Sequence, residues 1–396
     1  MTKVSDASVC IDVNEVVDLT SRLVQVASEN PPGNEGAAAE AFAATARSWG
    51  LEARLDRVGK DRANVLVTSE RRAGEEASVG PLLYCGHLDT VPAGDSGWDH
   101  DPFGGSVSDG RVFGRGTVDM KGGLAAMLGG LAALQTADPE LASQVTLGAV
   151  VGEEVDCAGS TAFVAAHDLS ACRWLVIAEP TNLDLVVAQK GALHLKVTFT
   201  GRSAHGAHPE NGVNAVQHLA QLVVDLQVLQ FNVADDPWLG RPTLSANVIT
   251  GGAATNVVPG ICSVVLDLRT VPSQDHLITL ALIEEACARL TRDVDGLTHQ
   301  VEVLNNRPST ATEPDDALIT AAQRTVRRVL GTDRTVRGVS FYSDASVLQP
   351  AMEGIPTLLF GPGETAAMHQ VNESVAITDL AAATRFFATL PSELIR

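Results

Sequence analysis

Three apolar runs in this chain lead into histidine or glutamate, residue types able to ligate metals. PLLYCGH ends at His87, VTLGAVVGEE at Glu153 and Glu154, and WLVIAEP carries Glu179. Runs of that length and composition read as buried strands, and helix-forming stretches lie between them, at Lys121 to Leu134 and Ser160 to Ala166. Strands that alternate with helices build a mostly parallel sheet covered on both faces. In such sheets function collects at the carboxyl ends of the strands, where His87, Glu153, Glu154 and Glu179 are all expected.

The rest of the chain fits around that sheet. Residues 13–28 carry apolar positions at helical spacing and stop at Asn30-Pro31-Pro32-Gly33, and a second helix from Asn34 to Trp49 closes on Gly50. LEARLDRV and NVLVTS read as strands. At about residue 192 the pattern changes. ALHLKVTFTG alternates as a half-exposed strand, Val213 to Leu229 is an amphipathic helix, and TLSANVIT and ICSVVLDLRTV are two more strands. A helix from His276 to Leu290 and the strand HQVEVLNN complete a β-α-β-β-α-β order, the ferredoxin-like arrangement. From about Asp315 the helix and strand alternation resumes through ALITAAQRTVRRVLG, Val336 to Tyr342, IPTLLFGPG and a final helix from Ile377. The expectation is a large α/β domain formed by residues 1–191 and 309–396, interrupted by a compact α+β domain at 192–308.

A length of 396 residues agrees with more than one core. The formal net charge of −20 argues against a nucleic-acid or anionic-membrane partner, and an anionic substrate would need metal ions or a few placed arginines to enter. MTKVSDASVC has no continuous apolar stretch and no segment runs to about eighteen apolar residues, so a cytoplasmic location is expected. The six cysteines, Cys10, Cys85, Cys157, Cys172, Cys262 and Cys287, form no CxxC pair, which suits reduced thiols rather than disulfides or a thiolate zinc site.

Each chemical candidate has a plain alternative. In GHLDT, imidazole ligates Zn²⁺ well, and Asp89, two residues on along an extended segment, is placed to orient His87; the alternative is a strand-end histidine with a solvated aspartate. Asp119, in GTVDMKGG, is either a helix N-cap or a carboxylate bridging two cations. Adjacent Glu153 and Glu154 repel each other unless a cation or solvent relieves them, and neighbours on a strand point in opposite directions, so one can ligate while the other serves as a base. Glu179 and His369, the latter in GPGETAAMHQVNE, repeat the theme of a ligand after an apolar run or a Gly-Pro loop. The whole set offers nitrogen and oxygen ligands and no sulfur.

GHLDTVPAG, GRGTVDMKGG, the Glu153-Glu154 pair, Glu179-Pro180, GRSAHGAHPENGVNAV, TNVVP, DLRTVP and GPG followed by HQVNE, in that order, resemble the M20 family of metallopeptidases and amidohydrolases across essentially the whole chain. The resemblance implies a zinc-exopeptidase-like sheet with an inserted dimerisation and lid domain. It implies two divalent ions per subunit, Zn²⁺ first and Co²⁺ or Mn²⁺ as alternatives. His87, Asp119 and Glu179 would hold one ion, and Asp119, Glu154 and His369 the other. Asp89 would orient His87, Glu153 would be the general base, and the peptide bond after Asp119 would be cis. His205 would reach the active site of a partner subunit and stabilise the oxyanion; otherwise it is a surface histidine. Asn256 and Arg269 would bind substrate, with Gly363 supplying backbone N–H nearby, although Arg269 also suits a strand-edge salt bridge.

Two segments depart from the pattern. VDCAGS places Cys157 beside the glutamate pair, as packing or as a soft ligand, and FYSDASVL puts Tyr342 and Ser343 where the acyl pocket is expected. The leading expectation is hydrolysis of an N-acyl amino acid by a homodimer. The alternatives are dipeptidase or glutamate-carboxypeptidase-like action, and a non-catalytic metal-binding scaffold.

Overall fold

The computed structural model describes residues 12–69, 79–94 and 97–395. The amino-terminal segment, with Cys10, lies outside the described residues; the other five cysteines are buried and form no disulfide. The described residues divide into two compact units. The larger holds those up to Val187, Ala311–Gly338 and those from Ser343 on; the smaller holds Ala188–Thr310 and Val339–Tyr342.

A nine-stranded sheet organises the larger unit. From one edge it runs Leu51–Gly59, Arg62–Ser69, Val145–Val150, Leu82–His87, Trp174–Ile177, Thr357–Leu359, Leu185–Gln189 and Thr310–Ala311, with Val336–Val339 paired to Leu185–Gln189. Its centre is parallel, from Val145–Val150 through Leu82–His87 and Trp174–Ile177 to Thr357–Leu359. Leu82–His87 and Val145–Val150 are buried along their whole length, as their continuous apolar composition requires. The first two strands join antiparallel, because Lys60 and Asp61 leave room only for a tight reversal, with Asp61 at a left-handed φ of 56°.

The helix Gly122–Ala137 is apolar around most of its circumference and buried. Its glycines let neighbours come close: a Cβ on Gly129 would lie 2.7 Å from Val16 Cγ2, and one on Gly130 2.8 Å from Phe387 Cβ. Those contacts belong to the helices Val13–Gln25 and Ile377–Leu394. The elements not anticipated include the strand Leu185–Gln189, the helices Pro139–Ala142 and Ala345–Ala351, and a small antiparallel sheet of Val107–Ser108, Arg111–Phe113 and Ser374–Ala376. The strand expected at 336–342 ends at Val339.

The smaller unit has a four-stranded sheet in the order Thr243–Gly251, Ile261–Thr270, Gly191–Thr200, Thr298–Arg307, all antiparallel. With the helices Ala215–Leu226 and His276–Thr291 this is the ferredoxin-like arrangement. Leu193, Leu195, Val197 and Phe199 share one core with Leu219, Leu222, Leu266 and Ile283. By strand alternation His194, Lys196 and Thr198 point to the opposite face.

Candidate metal centre

The carboxyl rim of the parallel strands carries the site. His87 ends its strand, Glu153 and Glu154 follow Val150, and Glu179 follows Ile177. Asp119 comes from a different device, the wide five-residue turn Thr117–Lys121, where Asp119 (φ −120°, ψ 95°) and Met120 leave helical geometry and the bond between them is cis. His369 sits at a left-handed φ of 61° in the loop after the short turn Thr365–Ala367.

These positions converge. His87 Nε2 lies 3.0 Å from Asp119 Oδ1. His369 Nε2 lies 3.2 Å from Asp119 Oδ2 and 3.2 Å from Glu154 Oε2. Ligand atoms of His87, Asp119 and Glu154 all fall within 4.8 Å of one another. Each oxygen of Asp119 thus faces its own imidazole, which is the donor pattern of a carboxylate shared between two cations. Glu179 is buried in the same electrostatic field: burial, then the charge of Asp119, raises its carboxyl well above the ordinary range.

The titratable groups of this cluster shift one another strongly. Burial opposes a charge on His87, but the hydrogen bond and charge of Asp119 outweigh it and raise the imidazole well above its usual range. Asp119 and Glu154 lift His369 to about 10. Burial raises Glu153 well above the carboxylate range; His87 opposes this, while Glu179 and Glu154 add to it. Four carboxylates, with two imidazoles aimed at one of them, form a nitrogen and oxygen donor set that suits a borderline divalent ion such as Zn²⁺.

Asp89 is more heavily engaged than its expected contact with His87 implies. His87 Nδ1 is 2.9 Å from the Asp89 main-chain carbonyl and 3.6 Å from its carboxylate, so the carbonyl is the nearer acceptor for an Nδ1 proton and leaves Nε2 turned toward Asp119. The carboxylate accepts the amides of Gly152 at 2.9 Å, Glu153 at 3.2 Å and Glu154 at 3.2 Å, and the Asn30 side-chain amide at 3.0 Å. It therefore fixes the backbone that presents the glutamate pair.

The model of peptidase family M20/M25/M40 matches residues 83–393. The chain belongs to that family. It is 32% identical over 316 residues to an acetylornithine deacetylase of Pectobacterium atrosepticum, covering 77% of each chain. To a probable succinyl-diaminopimelate desuccinylase of Staphylococcus epidermidis it is 27% identical over 387 residues, covering 91% of this chain and 92% of that one. The crystal structure of the aminopeptidase PepT from Bacillus cereus superimposes with a TM-score of 0.75 at 21% identity, covering 98% of this chain and 100% of that one, and so shares the fold. This M20 protein is a metal-dependent hydrolase of amide bonds.

Several residues around the M20 site escaped the reading of the sequence. Glu373 is buried, pairs with Arg115 at 2.6 Å, and accepts the amides of Val118 at 2.8 Å and Asp119 at 3.1 Å. Arg115 also donates to the carbonyls of Gln370 at 3.2 Å and His369 at 3.3 Å, so one ion pair ties the wide turn to the His369 loop. The sequence signal is that Arg115 and Glu373 lie within the motifs GRGTVDMKGG and HQVNE. Asp344, in the divergent FYSDASVL segment, is buried, accepts from Ser160 Oγ, and adds its charge to Glu153 and Glu179. Buried Cys157 caps the helix Ala158–Ala166 at φ 49°, with Sγ 3.8 Å from the Glu153 carbonyl, a packing position.

The remaining candidates lie in separate places. Gly363, at φ 90°, belongs to the larger unit, where a Cβ would lie 3.0 Å from Val118 Cγ1. His205 and Asn256 come together in the smaller unit: Ala204–His205 pairs with Val257–Val258, and Gly206 N–H donates to the Asn256 carbonyl at 2.7 Å. Both are exposed. Arg269, in the same unit, is half-buried and forms the salt bridge foreseen as its alternative, to Asp267 at 2.9 Å.

Among the described residues no helix is long and apolar enough to cross a membrane.

Proposed function

We propose that this M20 protein removes the acyl group from N-acyl amino acids, releasing a free amino acid and a short carboxylate. The observation that carries the reading is Asp119 held between two imidazoles with the buried base Glu153 alongside, in a chain 32% identical to a deacetylase over 77% of its length. His87, Asp119 and Glu179 would hold one ion, and Asp119, Glu154 and His369 a second, with Zn²⁺ favoured by the nitrogen and oxygen donors. When bound, such ions acidify water and polarise a carbonyl.

The chain's own residues do the rest. Glu153 takes the proton of the attacking water and passes it to the leaving nitrogen; its raised carboxyl suits a group that must both accept and return a proton near neutrality. His205 donates to the developing oxyanion. Arg269, Asn256 and the amide of Gly363 bind the amino-acid carboxylate and the adjoining polar groups. These four roles rest on the order of the motifs along the chain.

Zn²⁺-, Co²⁺- and Mn²⁺-loaded protein tested on N-acetyl, N-succinyl and N-carbamoyl amino acids and on dipeptides, with amine release as readout, decides the matter. Acetyl or succinyl compounds are expected to be cleaved fastest. Faster cleavage of dipeptides would overturn the acyl reading, and stoichiometric metal with no turnover of any compound would mark a scaffold.

A further inference from the structure

Lys190 is 9% exposed, and among the described residues it pairs with no carboxylate. Its ammonium donates to the Arg241 carbonyl at 2.6 Å. It lies next to a second cation: Ala192, two residues on, is directly opposite Arg269 across the sheet, and alternation puts Lys190, Ala192 and Arg269 on the face away from the helices. Burial, and then the charge of Arg269, holds the ammonium below its ordinary range, as two cations near one another require.

Arg269 is already held on one edge. Asp267 Oδ2 accepts from one terminal nitrogen at 3.2 Å, while Oδ1, without a hydrogen-bond partner, lies 2.9 Å from Nε and 3.4 Å from His194 Nε2. That ion pair holds the guanidinium on one edge and leaves Nη1 to bond elsewhere. A buried ammonium with a carbonyl as its one acceptor has donor capacity to spare.

We propose that Lys190 and Arg269 together grip one carboxylate of the substrate, with Asp267 positioning the Arg269 fork, so that Lys190 selects acids over their neutral amides. The assignment rests on Arg269 being a substrate-binding residue. Lys190 supplies a compact charge and Arg269 a planar fork, a combination that suits a carboxylate.

The test uses the Zn²⁺-loaded protein with Glu153→Gln added to stop turnover, titrated calorimetrically with N-acetyl-L-ornithine and with its carboxamide. The background protein should bind the acid more tightly than the carboxamide. Lys190→Met should weaken acid binding by roughly ten- to a hundredfold and carboxamide binding far less, and Lys190→Arg should restore most of the difference. In the enzyme with Glu153 intact, Asp267→Asn should raise KM more than it lowers kcat, with Asp267→Glu recovering part of it. Equal effects of Lys190→Met on both ligands, or none, would make Lys190 a structural residue and overturn the proposal. Arg269→Met with acid preference intact would instead remove Arg269 from the substrate site, and the proposal with it. No binding of either compound would overturn the N-acyl reading on which both stand.

Discussion

Glu153 is buried at a rim crowded with other carboxylates, with its main chain pinned by Asp89, and structure alone gives no reason to keep it there. Glu153→Gln should lower kcat by about 10²- to 10⁴-fold, the usual contribution of a placed general base, while metal content measured by elemental analysis stays that of the native protein. Near-native turnover would move the base elsewhere. The titratable groups of the proposed site predict a pH dependence. In the metal-free fold Glu153, Glu179, His87 and His369 all have raised pKa values, His369 at about 10, so the folded chain keeps protons that the unfolded chain releases. Their stabilisation is fully present below the unfolded values, near 4.5 for the glutamates and 6.5 for the histidines, and is lost as pH rises through the folded ones. Asp119, lowered by its two histidines in spite of burial, acts oppositely and only in acid. Divalent ions replace those protons, so the rise in Tm on adding Zn²⁺ to chelator-treated protein should grow from pH 5 to pH 8. A rise independent of pH would show that binding displaces no protons from these side chains.

At the scale of elements, the site depends on two irregular segments tied by Arg115 and Glu373. Glu373→Ala strands a buried guanidinium and releases the amides of Val118 and Asp119, so it should cost about 3–5 kcal/mol in denaturant unfolding and weaken metal affinity by roughly 10- to 100-fold. Unchanged metal affinity in that variant would mean the wide turn holds Asp119 without help. The contrast between His87 and Glu373 shows what a sequence can reveal. His87, Glu153, Glu154 and Glu179 were legible because each follows an apolar run that must be a buried strand, so local composition also places its end. Glu373 was not, because its partner is 258 positions away and only the pairing of Arg111–Phe113 with Ser374–Ala376 brings them together. The strand Leu185–Gln189 was hidden for a related reason: it runs through Lys190 into Gly191–Thr200 with no turn residue between them. The carboxylate of Asp89 was read as serving His87, yet its acceptors are used mainly on amides of the glutamate loop, a task fixed by where that loop returns.

For the whole molecule, the open question is what covers the smaller unit's sheet. Its edge strand Thr243–Gly251, TLSANVITG, contains no charged residue in a chain whose net charge is −20, and it exposes 55% of Val248 and 57% of Ile249. Proteins that live as monomers blunt such edges with lysine, proline or a covering element, because unpaired N–H and C=O groups invite another strand. A second copy pairing edge to edge would satisfy them and bury both side chains under two-fold symmetry. The protein is therefore expected to sediment as a dimer. Val248→Lys combined with Ile249→Lys should yield monomers at micromolar concentration, since two buried lysines facing their own symmetry mates repel as well as desolvate. The same variant also tests His205. If that histidine serves the neighbouring subunit, monomers should lose kcat about as far as His205→Ala does while keeping their metal, and mixing the His205→Ala protein with a Glu153→Gln protein should restore activity through hybrid dimers. Monomers with native kcat would place the whole reaction within one chain.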